Sequence, residues 1–423
     1  WGIKTYDVAQ ENFNNGLPFI WSVATWDNWN DYAVEEVVPD ENGIYHITTA
    51  EELAWLGKQS NLTAGFADNK KFVIDNNINL YGHYFTPISH NQTTSTDYSY
   101  AFNGEFDGNN KLIEGLTIEQ NYVENINNMA LFGIVGNALV TNAAMENTHI
   151  VVTSNSSNAA SLAAIVSGTS TIENAQINLA YKTNSGAIIV NDGVNQAWVA
   201  STIATVVNNA NIIKVNSYLN LIVNNEQSGV IVGGIVSTLK QSSSVDQVSY
   251  SGKIEVENAT SVGGIVGELN DTASLTNAFV NGQFSVNNGG TIGGVVGAKQ
   301  SAGSTLKYTY FNPTLFSANG TNVGGIAGKV PNYTPQAVTD TDTFAYNYFT
   351  SNTGLSAIEG VGIAGSTNNT NFDSSFYVNR AEMKTPTQLK TESTFINWDF
   401  DFIWAIDYTS GNLNEGYPLF YYN

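Results

Sequence analysis

Four segments of the chain carry one pattern at a near-constant interval. Val232-Gly233-Gly234-Ile235-Val236, Val262-Gly263-Gly264-Ile265-Val266-Gly267, Ile292-Gly293-Gly294-Val295-Val296-Gly297 and Val323-Gly324-Gly325-Ile326-Ala327-Gly328 begin 30, 30 and 31 residues apart. Weaker copies extend the series: Leu131-Phe132-Gly133-Ile134-Val135-Gly136, Leu162-Ala163-Ala164-Ile165-Val166, a stretch near Val199-Ala200-Ser201, and Val361-Gly362-Ile363-Ala364-Gly365. At least eight units are legible. Between the anchors lie short alternating strands, such as Leu275 to Val280 and Gln283 to Val286, separated by Asn/Gly turns.

A unit of about thirty residues with two or three short strands and no helix cannot bury its own apolar face. Copies stacked at about 4.8 Å per layer can, and eight layers span roughly 35–40 Å. The repeat therefore predicts an all-β chain built on a parallel β-helix. The paired glycines fit either backbone conformations closed to other residues or close approach of one layer to another. A phosphate loop is disfavoured, because no Gly-Lys-Ser/Thr follows.

The ends differ from the middle. Thr49 and Glu52 are spaced as a capping box opening a short amphipathic helix, placed to plug the first coil. Trp398, Phe400, Phe402, Trp404 and Tyr417-Pro418-Leu419-Phe420 form an aromatic close, as expected where a stack must end without an open edge. Three parts are expected: an N-terminal strand or cap segment over 1–44, the β-helix over 45–377, and a C-terminal cap over 378–423.

Composition narrows the function. The net charge of −22, from 37 acids against 15 bases, disfavours nucleic acid and anionic lipid as partners. Arg380 is the one arginine, so no guanidinium cluster can clamp phosphate or a uronate. With no cysteine, disulfides, thiolate metal sites and cysteine nucleophiles are excluded. No apolar run of about 18 residues appears and no signal-like segment opens the chain, so membrane insertion is not expected within it, and attachment signals are expected outside it.

These residues resemble the bacterial surface proteins that carry the GLUG motif. The resemblance rests on Leu131-Phe132-Gly133, on the repeated Gly-Gly-Ile-Val-Gly, and on Ala101 to Asn109 running into Ile113 to Ile118. Tyr45 to Trp55 and Trp398 to Leu419 resemble that group's start and finish, so the likeness covers nearly the whole chain from about Tyr45. Ala163-Ala164 and Ala200-Ser201 stand where glycines are usual, and residues 154–225 match poorly, which predicts distorted coils or inserted loops there. The group includes adhesin-like proteins, and similar repeats occur beside peptidase domains in immunoglobulin-cleaving proteases. The resemblance implies a right-handed β-helix and an extracellular or bacterial cell-surface location, and it supplies no catalytic residues.

Catalytic motifs are not evident in the sequence. The acids at Asp399, Asp401 and Asp407 lie in the aromatic close, where strand alternation would put Asp399 and Asp401 outside and Trp398, Phe400 and Phe402 inside. Another acidic pair is Asp340 and Asp342. His46, His83, His90 and His149 are scattered, with His83 and His90 in one loop, and neither a calcium loop nor a His-Glu-x-x-His helix is present. No cofactor or metal is expected, and the chain reads as non-catalytic.

Aromatic residues supply the candidate binding surface. Aligning coils on Leu275, Leu306, Phe344 and Phe372 brings Phe279-Val280, Tyr310-Phe311, Tyr348-Phe349 and Phe376-Tyr377 into register. One member of each pair should point out of the coil, which predicts an external aromatic ladder suited to sugar faces or apolar partners. The alternative is that the outer rings are covered, by loops such as Pro331 to Thr341, or serve only to stabilise the stack. Trp21, Trp26, Trp29 and Tyr32 form a second patch, with a cap or a packed strand as its alternative. The expected ligand-binding residues are Tyr310, Phe311, Tyr348, Phe349, Phe376, Tyr377, Trp26 and Trp29. The function these features favour is adhesion to a host, matrix or neighbouring-cell ligand, with glycans among the candidates. The alternatives are a structural spacer or self-associating filament subunit, and a β-helical carbohydrate-active enzyme.

Overall fold

The computed structural model describes residues 27–91, 98–123, 126–179, 186–331, 338–351, 359–364, 374–407 and 413–421. The chain winds as a right-handed parallel β-helix of about nine turns. Each regular turn contributes to three parallel sheets, as one turn shows: Ser244–Tyr250 lies in the first, Lys253–Val256 and Ala259–Gly263 in the second and Val266–Leu269 in the third, while one antiparallel pair, Trp404–Ala405 with Leu419–Phe420, lies outside them.

The glycine repeats stack directly. Val232 pairs with Val262, that with Ile292 and that with Val323, while Gly233, Gly263, Gly293 and Gly324 follow in the same register. The glycine pair forms the corner between the second and third sheets. None of these glycines has a positive φ; the constraint is close approach. A Cβ on Gly263 would meet the Val266 oxygen at 1.9 Å, and one on Gly264 would meet the next layer's Gly294 oxygen at 2.1 Å.

Earlier turns solve this corner differently. Ala200 pairs with Gly233 as expected, but Ala163 pairs with Ile203, which pairs with Val236, so Ala160 and Ser161 stand at the glycine level instead of Ala163-Ala164. The Ser161 hydroxyl donates to the Ser201 oxygen at 2.5 Å, and the Ser201 hydroxyl donates to the Gly234 oxygen. Buried hydroxyls thus run down the corner where glycine is missing. The poorly matching region keeps the stack. Ala159 pairs with Val199, forty residues on, and the surplus lies between strands.

The interior is a set of stacked columns. Phe72, Phe106, Val140, Ile172, Ile212, Val245, Leu275, Leu306 and Phe344 pair successively from layer to layer, and each has 0% exposure. At about 1.5–3 kcal/mol per buried side chain, such columns dominate the folding energy. At the N-terminal end, α1 (Ala50–Leu62) opens with the expected capping box: Glu52 N–H donates to Thr49 Oγ1 at 3.3 Å, and Thr49 N–H donates to Glu52 Oε2 at 3.1 Å. Its Leu53, Trp55 and Leu56 are buried over the first coil.

The C-terminal boundary shifts. Ala381–Lys384 still pairs in parallel with Asn347–Thr350, so the solenoid runs past Tyr377. Beyond it the expected strand alternation gives way to a turn. The Asp399 carboxylate accepts from the backbone N–H groups of Asp401 and Phe402 and leaves Phe402 82% exposed rather than inward.

Two tests follow from this packing. Gly263→Ala should cost about 2–3 kcal/mol by overpacking a corner with no space to give; a urea midpoint equal to wild type would contradict the close-approach account. Lys299 is fully buried, pairs in register with core Leu269, bonds the Ser301 oxygen at 2.7 Å, and has its pKa lowered by burial to about 7. The folded state therefore penalises its charge fully below about pH 7 and not at all above the unfolded lysine pKa near 10.4. Stability should rise between these limits through this group, and Lys299→Met should remove that rise in pH-dependent unfolding.

Candidate functional site

The aromatic ladder exists but is covered. Phe279 pairs with Tyr310, and Tyr310 with Tyr348, while their neighbours Val280, Phe311 and Phe349 point into the main core. The outward members are packed beneath Phe395, Trp398, Trp404 and Phe420 of the C-terminal segment. Tyr310 and Tyr348 are 0% exposed, and Phe311 and Phe349 are 0% and 1% exposed. The Tyr310 hydroxyl donates to the Pro418 oxygen at 2.6 Å and accepts from Asn414 Nδ2 at 2.8 Å. Burial pushes both phenols' pKa values up.

The expected last rung is displaced as well. Tyr348 pairs with Glu382 and Phe349 with Met383, whereas Phe376 and Tyr377 sit on a helical turn, Ser374–Tyr377. Phe376 is 1% exposed. The expectation of an exposed ladder is therefore corrected: the outer rings are covered, as the alternative had it, but the residues packed on them belong to the C-terminal segment where that alternative named inserted loops such as Pro331 to Thr341. Phe372 and Trp26 lie outside the described residues. Trp29 is only 8% exposed, donates its indole N–H to the Leu80 oxygen at 3.0 Å, and packs edge-on to His83. Tyr32, its ring tilted 54° to that of His83 at 4.7 Å, keeps 44% exposure.

A different surface is open at the corner between the third and first sheets. Register places Ile44, Lys71, Glu105, Leu139 and Thr171 in one column across five successive layers. Two residues before each of these stand Asn42, Asn69, Asn103, Asn137 and Thr169. The same amide side chain thus occupies four consecutive layers. Together these residues line a groove of about 670 Å³, and a second hollow of about 530 Å³ lies further along the same strands, at Thr141, Asn142, Glu173, Asn174 and Lys214.

Conformation explains only half of the column. Asn69 and Asn137 have left-handed φ of 58° and 49°, which asparagine tolerates. Asn42 and Asn103 are not left-handed, so no backbone constraint selects asparagine there. Asn103 Nδ2 donates to Asp68 Oδ1 at 2.9 Å, and Asn42 Nδ2 donates to Asp40 Oδ2 at 3.3 Å, which orients both amides. Asn137 Oδ1 accepts from Thr169 N–H at 3.2 Å. Leu139, 39% exposed, supplies an apolar strip.

The groove's cations are already engaged. In the groove Lys71 pairs with Glu105 at 3.7 Å, and in the second hollow Lys214 pairs with Glu173 at 3.4 Å. The Lys70 ammonium sits 3.6 Å from the Phe66 ring centroid, and burial lowers its pKa. The surface is polar and able to donate and accept hydrogen bonds, with Lys71 held by Glu105 and Lys70 held against an aromatic ring. Among the described residues, no group of three or more His, Cys, Asp or Glu is arranged to hold a metal, and no helix is long and apolar enough to cross a membrane.

No family model matches the chain, and no curated protein matches it. Solved structures do. One is named IgA1 Protease, at 12% identity and a TM-score of 0.48, covering 84% of this chain and 24% of that one. Another is a proposed immunoglobulin A1 protease from Bacteroides ovatus, at 16% identity and a TM-score of 0.44, covering 92% of this chain and 95% of that one. This chain spans about a quarter of the first protein's length. The expectation of a non-catalytic chain is corrected at this point. Both similar structures carry protease names, and that expectation is withdrawn. At these identities no residue here takes a role from them.

The covered ladder gives a direct test. Tyr310→Ala should lower stability by about 3–5 kcal/mol, as expected for removing a large buried aromatic. Denaturant unfolding that matches wild type would show that the cap does not pack on this ring.

Proposed function

We propose that the chain is an adhesin-like recognition protein of a bacterial cell surface, of the GLUG-motif kind, whose ligand on a host, matrix or neighbouring cell lies in the asparagine-lined groove. The observation that carries this reading is the repetition of one amide over four layers, exposed at Asn42, Asn69 and Asn137 and half-buried at Asn103, at two of which the backbone does not require it. A rigid stack suits such recognition, because it holds polar groups at fixed spacing with little ordering cost on binding. The covered ladder leaves this groove as the more extended polar surface available to a ligand.

The filament alternative is less favoured. End-to-end stacking needs an open coil at each end, and α1 lies over the first coil with Leu53 and Leu56 at 0% exposure. The test is binding of the labelled chain to an array of matrix proteins, glycans and intact cells. Leu139→Arg puts a long charged side chain on the groove floor and should weaken binding about tenfold or more while leaving the melting curve unchanged. Equal binding by the variant would place the ligand elsewhere.

A further inference from the structure

Resting on the reading above, we infer that the groove takes an extended, neutral polysaccharide lying along the solenoid axis, one sugar per layer or nearly so. Two observations lead there. The layers repeat at about 4.8 Å, close to the advance of one pyranose along an extended glycan, so successive carboxamides at Asn42, Asn69, Asn103 and Asn137 would meet successive sugars. Each carboxamide both donates and accepts, as each sugar hydroxyl does. A polymer of hydroxyls can therefore satisfy the column without bringing charge.

Charge excludes the other linear polymers. Lys71 and Lys214 are paired with Glu105 and Glu173, Lys70 lies over the Phe66 ring, and the chain as a whole carries −22, so a uronate, sulfated glycan or nucleic acid would meet net repulsion that one lining lysine does not offset. An extended polypeptide is disfavoured for a different reason. Peptides that join sheets do so through unpaired strand edges. The groove runs across the outer face and corner of successive strands, and Lys71–Ile74, Glu105–Asp107 and Leu139–Thr141 are each paired with a layer on both sides; among the described residues Ile44–Ile47, which ends the sheet, offers an edge at one end of the groove only. Leu139 offers the apolar contact that a sugar's C–H face needs.

The experiment is affinity electrophoresis of the full chain through gels containing soluble neutral polysaccharides (β-glucans, mannan, galactan), with a polyuronate and a sulfated glycan as charged counterparts. Wild type is run beside Asn42→Ala/Asn103→Ala, which spares the left-handed positions, and beside Tyr122→Ala, which alters an exposed ring stacked on Tyr84 outside the groove. The expected result is retardation by at least one neutral polymer and by neither charged one. That affinity should fall about tenfold or more in the double variant, as the loss of two amide contacts implies, with unchanged melting, and should persist in Tyr122→Ala. Retardation unaffected by the double variant overturns the inference, as does preference for a charged polymer. If no neutral polymer is bound, the inference fails. In that case array binding still lost in Leu139→Arg would keep the groove as a recognition site for another ligand, and its retention would remove both readings.

Discussion

A single coil of this chain has no interior; it acquires one only when another coil lies on it in register. Everything else depends on that layer-to-layer contact. It fixes the glycine pair at the corner, where a methyl group would run into the carbonyl of the same turn or of the next. It builds the columns that bury Phe72 through Phe344, and it sets the spacing at which outward side chains repeat. In the turns before the glycines, Ser161 and Ser201 hold this corner, each with its hydroxyl bonded to a carbonyl of the next layer, Ser201 to that of Gly234.

The same stacking explains why opposite ends of the first sheet behave differently. Towards the C-terminus its outward residues become aromatic, and the chain folds its own tail back over them: Trp404 donates to Asn277 Oδ1 at 3.1 Å, and Trp398 donates to the Tyr346 oxygen at 3.1 Å. Tyr308 and Tyr346 both hold left-handed φ, of 57° and 59°, and their rings stack at 5.8 Å under the edge of that tail. Towards the N-terminus the outward residues are amides, hydroxyls and paired charges, and among the described residues the corner groove stays open.

The architecture was legible because its signal is periodic and local. Glycines at 232, 262, 292 and 323 announce the turn length directly, and the capping box at Thr49 and Glu52 needs only four residues to be read. The register of Tyr310 with Tyr348 was legible for the same reason. What hid the covering of that ladder was distance in sequence: Pro418 lies 108 residues from Tyr310, and nothing in a local pattern says which face a tail will cover. The asparagine column was hidden by uneven spacing. Asn42, Asn69, Asn103 and Asn137 are separated by 27, 34 and 34 residues, because the loops between early coils vary, and in an asparagine-rich chain such intervals carry no mark. Aligning on strand starts rather than on glycines would have exposed it. Phe376-Tyr377 failed as a rung because a helical turn intervenes before the next strand begins at Ala381.

The central claim is that the groove beside Asn103 and Thr169 is where the chain meets its ligand. Because the chain has no cysteine, Thr169→Cys can carry a single environment-sensitive fluorophore at the groove, and Leu315→Cys, on a strand of the second sheet and 51% exposed, can carry one away from it. Titration with whichever array component the chain retains should give a saturable emission change at position 169 and none at 315. Binding that leaves the label at 169 unchanged, or moves the one at 315 instead, would contradict the account.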